Sequence, residues 1–150
     1  MIQFPRFQEN ILNIYFSCSI TGGRNQQQIY AEVVKFLMDE GHDVPTAHLA
    51  SVDVIDKEIT EDAPTVYKRD IGWVRDCDAL VAEVSTPSHG VGYEIAAALY
   101  EGKPVLCCYE KSHTVSKMIL GNNESEIQVF GYSSIKDLKN EIMRFLSKLG

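Results

Sequence analysis

Ser85-Thr86-Pro87-Ser88-His89-Gly90-Val91-Gly92-Tyr93-Glu94 stands between a short apolar run, Ala79 to Val84, and the helical pattern Ile95-Ala96-Ala97-Ala98-Leu99-Tyr100. A strand, a Ser/Gly/Pro loop and a helix start, in that order, make an anion-binding arrangement. The first N–H groups of the helix point into the loop and the helix dipole adds to their pull. Glu94 falls in the first turns of this helix, on one stripe with Val91 and Ala98. A carboxylate on an apolar stripe needs a reason, because an unpaired buried charge is costly. An anion loop beside an inward acid has the shape of an active site.

The same alternation continues in both directions. Asn10 to Ser17 reads as a buried strand, and Thr21-Gly22-Gly23 as a glycine turn. A helix is expected over Arg24 to Glu40, with Ile29, Val33, Phe36 and Leu37 inward and Gly41 as its stop. Val44-Pro45-Thr46 suggests an edge strand, since proline cannot serve a central one. Residues 49–63 are acidic and weakly periodic, a loop with some helical character. Pro64 suits the first turn of a helix running to about Cys77, with Tyr67, Ile71 and Val74 as its core face. A strand over Asp78 to Val84 leads to the key loop and to a helix from about Gly92 to Tyr100. Val105 to Tyr109 and Ile127 to Phe130 are further strands. Val115 to Leu120 is a short apolar piece, and Ser134 with Asp137 resembles a capping box before a last helix. Strands alternating with helices predict a single α/β domain over residues 1–150, with 1–10 as an N-terminal extension. About five parallel strands would be covered on both faces, with the ligand at their carboxyl ends.

Composition narrows the function. At 150 residues, with 45% hydrophobic and 23% charged residues, the chain has the size and balance of one globular domain. A net charge of -7 argues against a nucleic-acid or anionic-membrane surface. No run is long enough to span a bilayer, and Met1-Ile2-Gln3-Phe4-Pro5-Arg6 lacks a signal-peptide layout. Cys18, Cys77, Cys107 and Cys108 show no metal spacing and read as small buried hydrophobes. A reduced, cytoplasmic protein is expected, a nuclear pool being compatible, with neither metal nor cofactor.

The residues that carry chemistry gather at one predicted sheet edge. One loop supplies Ser17, Ser19, Thr21, Gly22, Gly23 and Arg24, the other Ser88, Gly90 and Gly92. Neither is a Walker or dinucleotide motif. Glycines in one such loop alone would only make turns, but two polar loops at one edge point to a phosphate or sugar. Asp70 is the second anomalous acid, sharing a stripe with Tyr67 and Val74; pairing with Lys68 or Arg69 on the helix surface is the competing reading. Two carboxyls facing one pocket can divide nucleophilic and proton-donating roles. Tyr15 can hydrogen-bond one of them or serve as a core aromatic, and His48 can line the pocket or be structural. Asp76, Asp78 and Glu83 read as capping or flanking residues.

Ile14 to Arg24, Arg69-Asp70-Ile71-Gly72-Trp73, and Ala82 to Glu94 with its Gly-Val-Gly-Tyr-Glu end together resemble the nucleoside 2-deoxyribosyltransferase superfamily. Within it, the chain looks most like 2'-deoxynucleoside 5'-phosphate N-hydrolases. The resemblance implies a Rossmann-like, flavodoxin-like fold and cleavage of the N-glycosidic bond between base and sugar. It implies Glu94 as nucleophile at the anomeric carbon, Asp70 as the acid assisting base departure and Tyr15 as the phenol positioning Glu94. Ser19, Ser88 and Gly90 match 5'-phosphate contacts, while Ile20, Gly22, Gly23, Arg24, His48 and Met118 fall at expected substrate-binding positions. Ser116 matches a serine that reaches a neighbouring subunit's phosphate site, so a homodimer is implied. Thr21 and Cys18 depart from the pattern, standing where such hydrolases carry Arg and Gly, which bears on base preference. Base exchange on nucleosides is the alternative within the superfamily, and a non-catalytic nucleotide-binding module the alternative outside it.

Overall fold

The computed structural model describes residues 10–20, 26–51 and 53–149. Four parallel strands, β1 (Ile14–Ser17), β2 (Ala79–Glu83), β3 (Val105–Glu110) and β4 (Ile127–Tyr132), lie side by side in chain order. Helices connect them, α1 (Gln27–Asp39), α2 (Val54–Thr60), α3 (Ala63–Asp76), α4 (His89–Tyr100) and the one-turn α5 (Lys117–Leu120), and α6 (Ile135–Ser147) follows the last strand.

The strands are apolar on both faces because both faces are covered. Ile14, Phe16, Ala79, Val81, Leu106 and Cys108 pack toward α1 and α6, against Val33, Leu37, Leu138, Ile142 and Phe145. The alternate residues Tyr15, Leu80, Ala82, Val105 and Cys107 pack toward α3 and α4, against Val74, Val91, Ile95 and Ala98. The period of two sends the vicinal Cys107 and Cys108 into opposite cores, and burial pushes the Cys107 thiol up to about 12. Among the described residues no helix is long and apolar enough to cross a membrane.

Four strands form where about five were expected. The piece around Val44-Pro45-Thr46 contributes only an isolated parallel bridge, Asn13 to Asp43, beside β1. Pro45 has no N–H to give a ladder, and the Thr46 side chain takes the place of one. Its hydroxyl accepts from the Phe16 N–H at 3.0 Å and donates to the Phe16 carbonyl at 2.8 Å. The first strand is also shorter than the Asn10 to Ser17 expected.

The helices mostly fall where periodicity put them. α3 begins on an Asp62 cap, whose carboxylate accepts from the Thr65 N–H, with Pro64 in the first turn. α6 begins on Ser134, which accepts from the Asp137 N–H as the capping pattern required. The 49–63 stretch is more helical than expected, with a 3-10 turn over Ala47–Ala50 and then α2. Tyr67 does not join the core: it is 55% exposed, its ring set edge-on against Tyr93 with centroids 6.0 Å apart. Ile71 and Val74 alone form the buried face of α3.

Candidate active site

After β1 the chain bridges to the sheet on one side at Asp43, then returns on the other side as β2. This reversal opens a crevice at the carboxyl ends of β1 and β2, where open α/β sheets bind ligands. Ser17, Cys18 and Ser19 form one lip and Ser85 to Gly90 the other.

Glu94 enters this crevice from the second turn of α4. That helix starts at His89 rather than near Gly92, because Ser88 is its cap: the Ser88 hydroxyl accepts from the Val91 N–H at 3.3 Å. The capped start turns Val91, Ile95 and Ala98 into the core and leaves Glu94 at the crevice. Ser17, fully buried at the end of β1, donates its hydroxyl to Glu94 Oε2 at 2.6 Å. Burial pushes the Glu94 carboxyl up to about 7; the Ser17 hydrogen bond opposes the rise, and the charge of Asp70 adds to it. Tyr15 is fully buried beneath, its hydroxyl without a hydrogen bond among the described residues. Burial, then the charges of Glu94 and Asp70, raise that phenol above its ordinary pKa. A neutral hydroxyl buried within reach of a carboxylate is a donor held for that site.

Asp70 faces the same crevice from α3. The surface pairing that competed for it is real but half-buried, and it belongs to the pocket. Arg69 Nε donates to Asp70 Oδ1 at 2.8 Å, and its Nη2 to Glu58 Oε1 on α2 at 3.1 Å. The guanidinium lies 5.1 Å from the Trp73 ring centroid, a cation–π distance. His48 closes the cluster, its Nε2 at 3.5 Å from Glu58 Oε1 and its ring edge-on to Trp73 at 5.7 Å. Burial raises the Asp70 carboxyl above its usual range, while the Arg69 ion pair opposes the rise.

Gly90 lies in the first turn of α4, and a Cβ there would come within 3.9 Å of Ser88 Oγ and 4.0 Å of Glu94 Oε1. The bare backbone leaves the helix start open to a ligand beside Glu94. Ser19 is buried at the first lip with Ile20 next to it. Gly22, Gly23 and Arg24, with Thr21, lie outside the described residues. Ser116 and Met118 stand apart. With Ser88, Val91, Ile95 and Leu99 they line a groove of about 830 Å³ between α4 and α5, whose lining does not include Tyr15, Asp70 or Glu94. Ser116 caps α5, accepting from the Met118 N–H at 3.1 Å. Val115 is buried in its own chain's core, whereas Met118 is 85% exposed.

Sequence reasoning missed Glu58 and the network of Glu83, and gave Arg69 only as a surface partner of Asp70. Glu58 and Arg69 look like ordinary surface charges until α2 and α3 meet. Glu83 is a fully buried carboxylate at the end of β2 and more than a flanking acid. It accepts from the Ser85 N–H at 2.7 Å, the Ser85 hydroxyl at 3.0 Å and the Tyr132 hydroxyl. Ser85 Oγ in turn accepts from the Glu110 N–H at 2.8 Å, so this network sets the root of the Ser85 to Ser88 loop. An acid two residues before a serine at a strand end was the available signal.

Two carboxylates and a phenol thus lie near the reversal point of a flavodoxin-like parallel sheet, beside a helix start. The chain belongs to the nucleoside 2-deoxyribosyltransferase family, whose model matches residues 14–138. It is 38% identical over 118 residues to a Methanococcoides burtonii protein named as a candidate 2'-deoxynucleoside 5'-phosphate N-hydrolase, covering 79% of this chain and 97% of that one. It is 37% identical over 126 residues to the 5-hydroxymethyl-dUMP N-hydrolase of Mus musculus, covering 81% of this chain and 72% of the relative. Among solved structures, the Clostridium botulinum CMP N-glycosidase superposes with a TM-score of 0.68 at 17% identity, over 89% of this chain and 98% of that one. At that identity the likeness speaks to the fold.

Proposed function

We propose that this protein hydrolyses the N-glycosidic bond of (2'-deoxy)nucleoside 5'-monophosphates, releasing the free base and (deoxy)ribose 5-phosphate. The observation that carries this reading is the Glu94 carboxylate at the crevice, held by Ser17 and faced by a second carboxylate, Asp70. The names of the relatives, all describing N-hydrolysis of deoxynucleotides, support it.

In this mechanism the ionised Glu94 attacks the anomeric carbon as the C1'–N bond breaks, passing through an oxocarbenium-like state to a glycosyl ester. Asp70 works on the departing base. Tyr15 donates to Glu94 and keeps its attacking oxygen aimed. Water then displaces Glu94 and leaves the sugar phosphate. The 5'-phosphate sits against Ser19, Ser88 and Gly90, with the α4 N-terminus adding its field. Ile20 and His48 belong to the substrate pocket in this reading, and Gly22, Gly23 and Arg24 are substrate contacts by the family resemblance alone. Ser116 and Met118 come from the second subunit of a homodimer.

The phosphate decides the test. Base release from a 2'-deoxynucleoside 5'-monophosphate is expected to exceed that from the matching nucleoside by roughly 100-fold or more in kcat/KM, as remote binding energy is spent on orientation. Equal turnover of the two, or transfer of the sugar to an added second base, would instead establish base exchange, the reading that the family model's own description favours.

A further inference from the structure

We infer that Gln26 and Glu110 form a clasp that sets the spacing of the two lips of the crevice, and through it the preference for a 5'-phosphate over an unphosphorylated sugar. This deepens the N-hydrolase reading above and rests on it. It adds two positioning residues outside the site already described.

α1 starts on a glutamine triplet, Gln26-Gln27-Gln28. Helix starts favour the short polar caps Ser, Thr, Asp and Asn; Gln26 holds the cap position and makes no side-chain capping bond among the described residues. It is nevertheless only 7% exposed, and a buried amide is costly without a partner. Its partner lies far along the chain: Gln26 Nε2 donates to Glu110 Oε2 at 2.8 Å. Gln27 reaches the other way, its Nε2 donating to the Ala50 carbonyl at 2.7 Å.

Each amide leads to one lip. Ala50 ends the 3-10 turn that carries His48, and the neighbouring Leu49 carbonyl accepts from Cys18 Sγ of the first lip at 3.9 Å. Glu110 ends β3, and its N–H donates to Ser85 Oγ at 2.8 Å, at the root of the second lip. Glu83 holds Ser85 from behind. The foot of α1 therefore ties lip to lip across the carboxyl ends of the strands. His113 flanks the clasp, with Nδ1 at 3.7 Å from Glu110 Oε2 and Nε2 at 3.5 Å from Gln26 Nε2.

In the proposed pose the phosphate takes Ser19 from the first lip and Ser88 with Gly90 from the second. Hydrogen bonds to one rigid anion from two sides need both sides at a fixed separation. Fixing that separation in advance removes an ordering cost from binding. An unphosphorylated nucleoside makes no such bridge, so its turnover is indifferent to the clasp.

The test is a double-mutant cycle read as kcat/KM on a 2'-deoxynucleoside 5'-monophosphate and on the matching nucleoside. Gln26→Ala and Glu110→Ala should each lower the monophosphate value by roughly 10-fold, the scale of one hydrogen bond to a charged group. The double variant should lose no more than either single one, since all three break the same link. Nucleoside turnover should be nearly unchanged throughout. Exchanging the residues, Gln26→Glu with Glu110→Gln, keeps the net charge, restores an N–H···O bond in the opposite sense and should recover most of the loss. Equal losses on both substrates, additive losses in the double variant, no loss, or no recovery in the exchange overturns the clasp and leaves the N-hydrolase reading standing. If the unsubstituted protein turns over the nucleoside as well as the monophosphate, the N-hydrolase reading falls and the clasp with it. Should one alanine variant fail to fold, the other breaks the same bond from the opposite element and decides by the same ratio.

Discussion

Burial of Glu94 has opposite consequences for rate and for stability. Its carboxyl is pushed up to about 7, from an ordinary value near 4.5, and attack requires the ionised form. The kcat/KM for base release should therefore rise with pH along a limb centred near 7. Asp70→Asn, which removes a like charge, should move that limb to lower pH as well as slow the reaction. For stability the sign runs the other way. Below about 4.5 Glu94 is protonated in both folded and unfolded chains. Between about 4.5 and 7 the unfolded chain ionises while the folded one keeps its proton, so this group's contribution to stability is lost across that window. Glu94→Gln keeps the Ser17 hydrogen bond and never ionises. It should abolish base release yet raise stability at pH 8 by on the order of 1–2 kcal/mol, with the gain vanishing toward pH 4. Urea unfolding at the two pH values checks this. A Glu94→Gln protein that turns over normally removes Glu94 from the nucleophile's role.

At the scale of elements, the start of α4 serves two purposes with one side chain. Ser88 caps the helix through the Val91 N–H and stands where the proposed phosphate binds. Ser88→Ala should then cost about 1 kcal/mol of stability, the usual value of a lost cap. Separately, it should lower kcat/KM for the monophosphate by roughly 10–100-fold, the scale of one hydrogen bond to a charged group. The slow reaction of the matching nucleoside is the control. If it falls by the same factor, Ser88 acts only as a cap. At the opposite lip a similar economy holds: Thr46 binds both polar groups of Phe16 and ends the sheet beside β1. That leaves the segment after it to carry His48 toward the pocket instead of extending a strand.

At the scale of the molecule, the groove between α4 and α5 is an apolar surface that the described residues leave open. Met118 and Tyr100, 85% and 92% exposed, stand on it beside buried Val91 and Ile95. A patch of this kind marks an interface, and Ser88 at its border connects it to the crevice. In the proposed homodimer, Ser116 and Met118 enter from the partner. Met118→Glu should give a monomer by sedimentation with loss of most activity, while the fold, read by circular dichroism, persists. A monomeric Met118→Glu protein with full activity would show that the site is complete within one chain.

Periodicity alone determined the α/β class, the two covered faces and the order of elements, because apolar spacing is a local property that burial on both sides simply reads out. The two polar loops at one sheet edge were legible in the sequence too, and Glu94 stood out there, because an acid on an apolar stripe is anomalous before any contact is known. Boundaries were less so. Ser88 as a cap moved the start of α4, and Pro45 with Thr46 replaced an edge strand by a single bridge, since side-chain hydrogen bonds outcompeted the ladder there. Only tertiary structure brought Glu58 to Arg69, or Tyr132 to Glu83. These partners lie 11 and 49 residues apart, on separate elements, and no periodicity within one segment encodes a charge's partner on another. How readily each carboxylate ionises was set by that assembly, because desolvation and neighbouring charge exist only once the chain has closed around it.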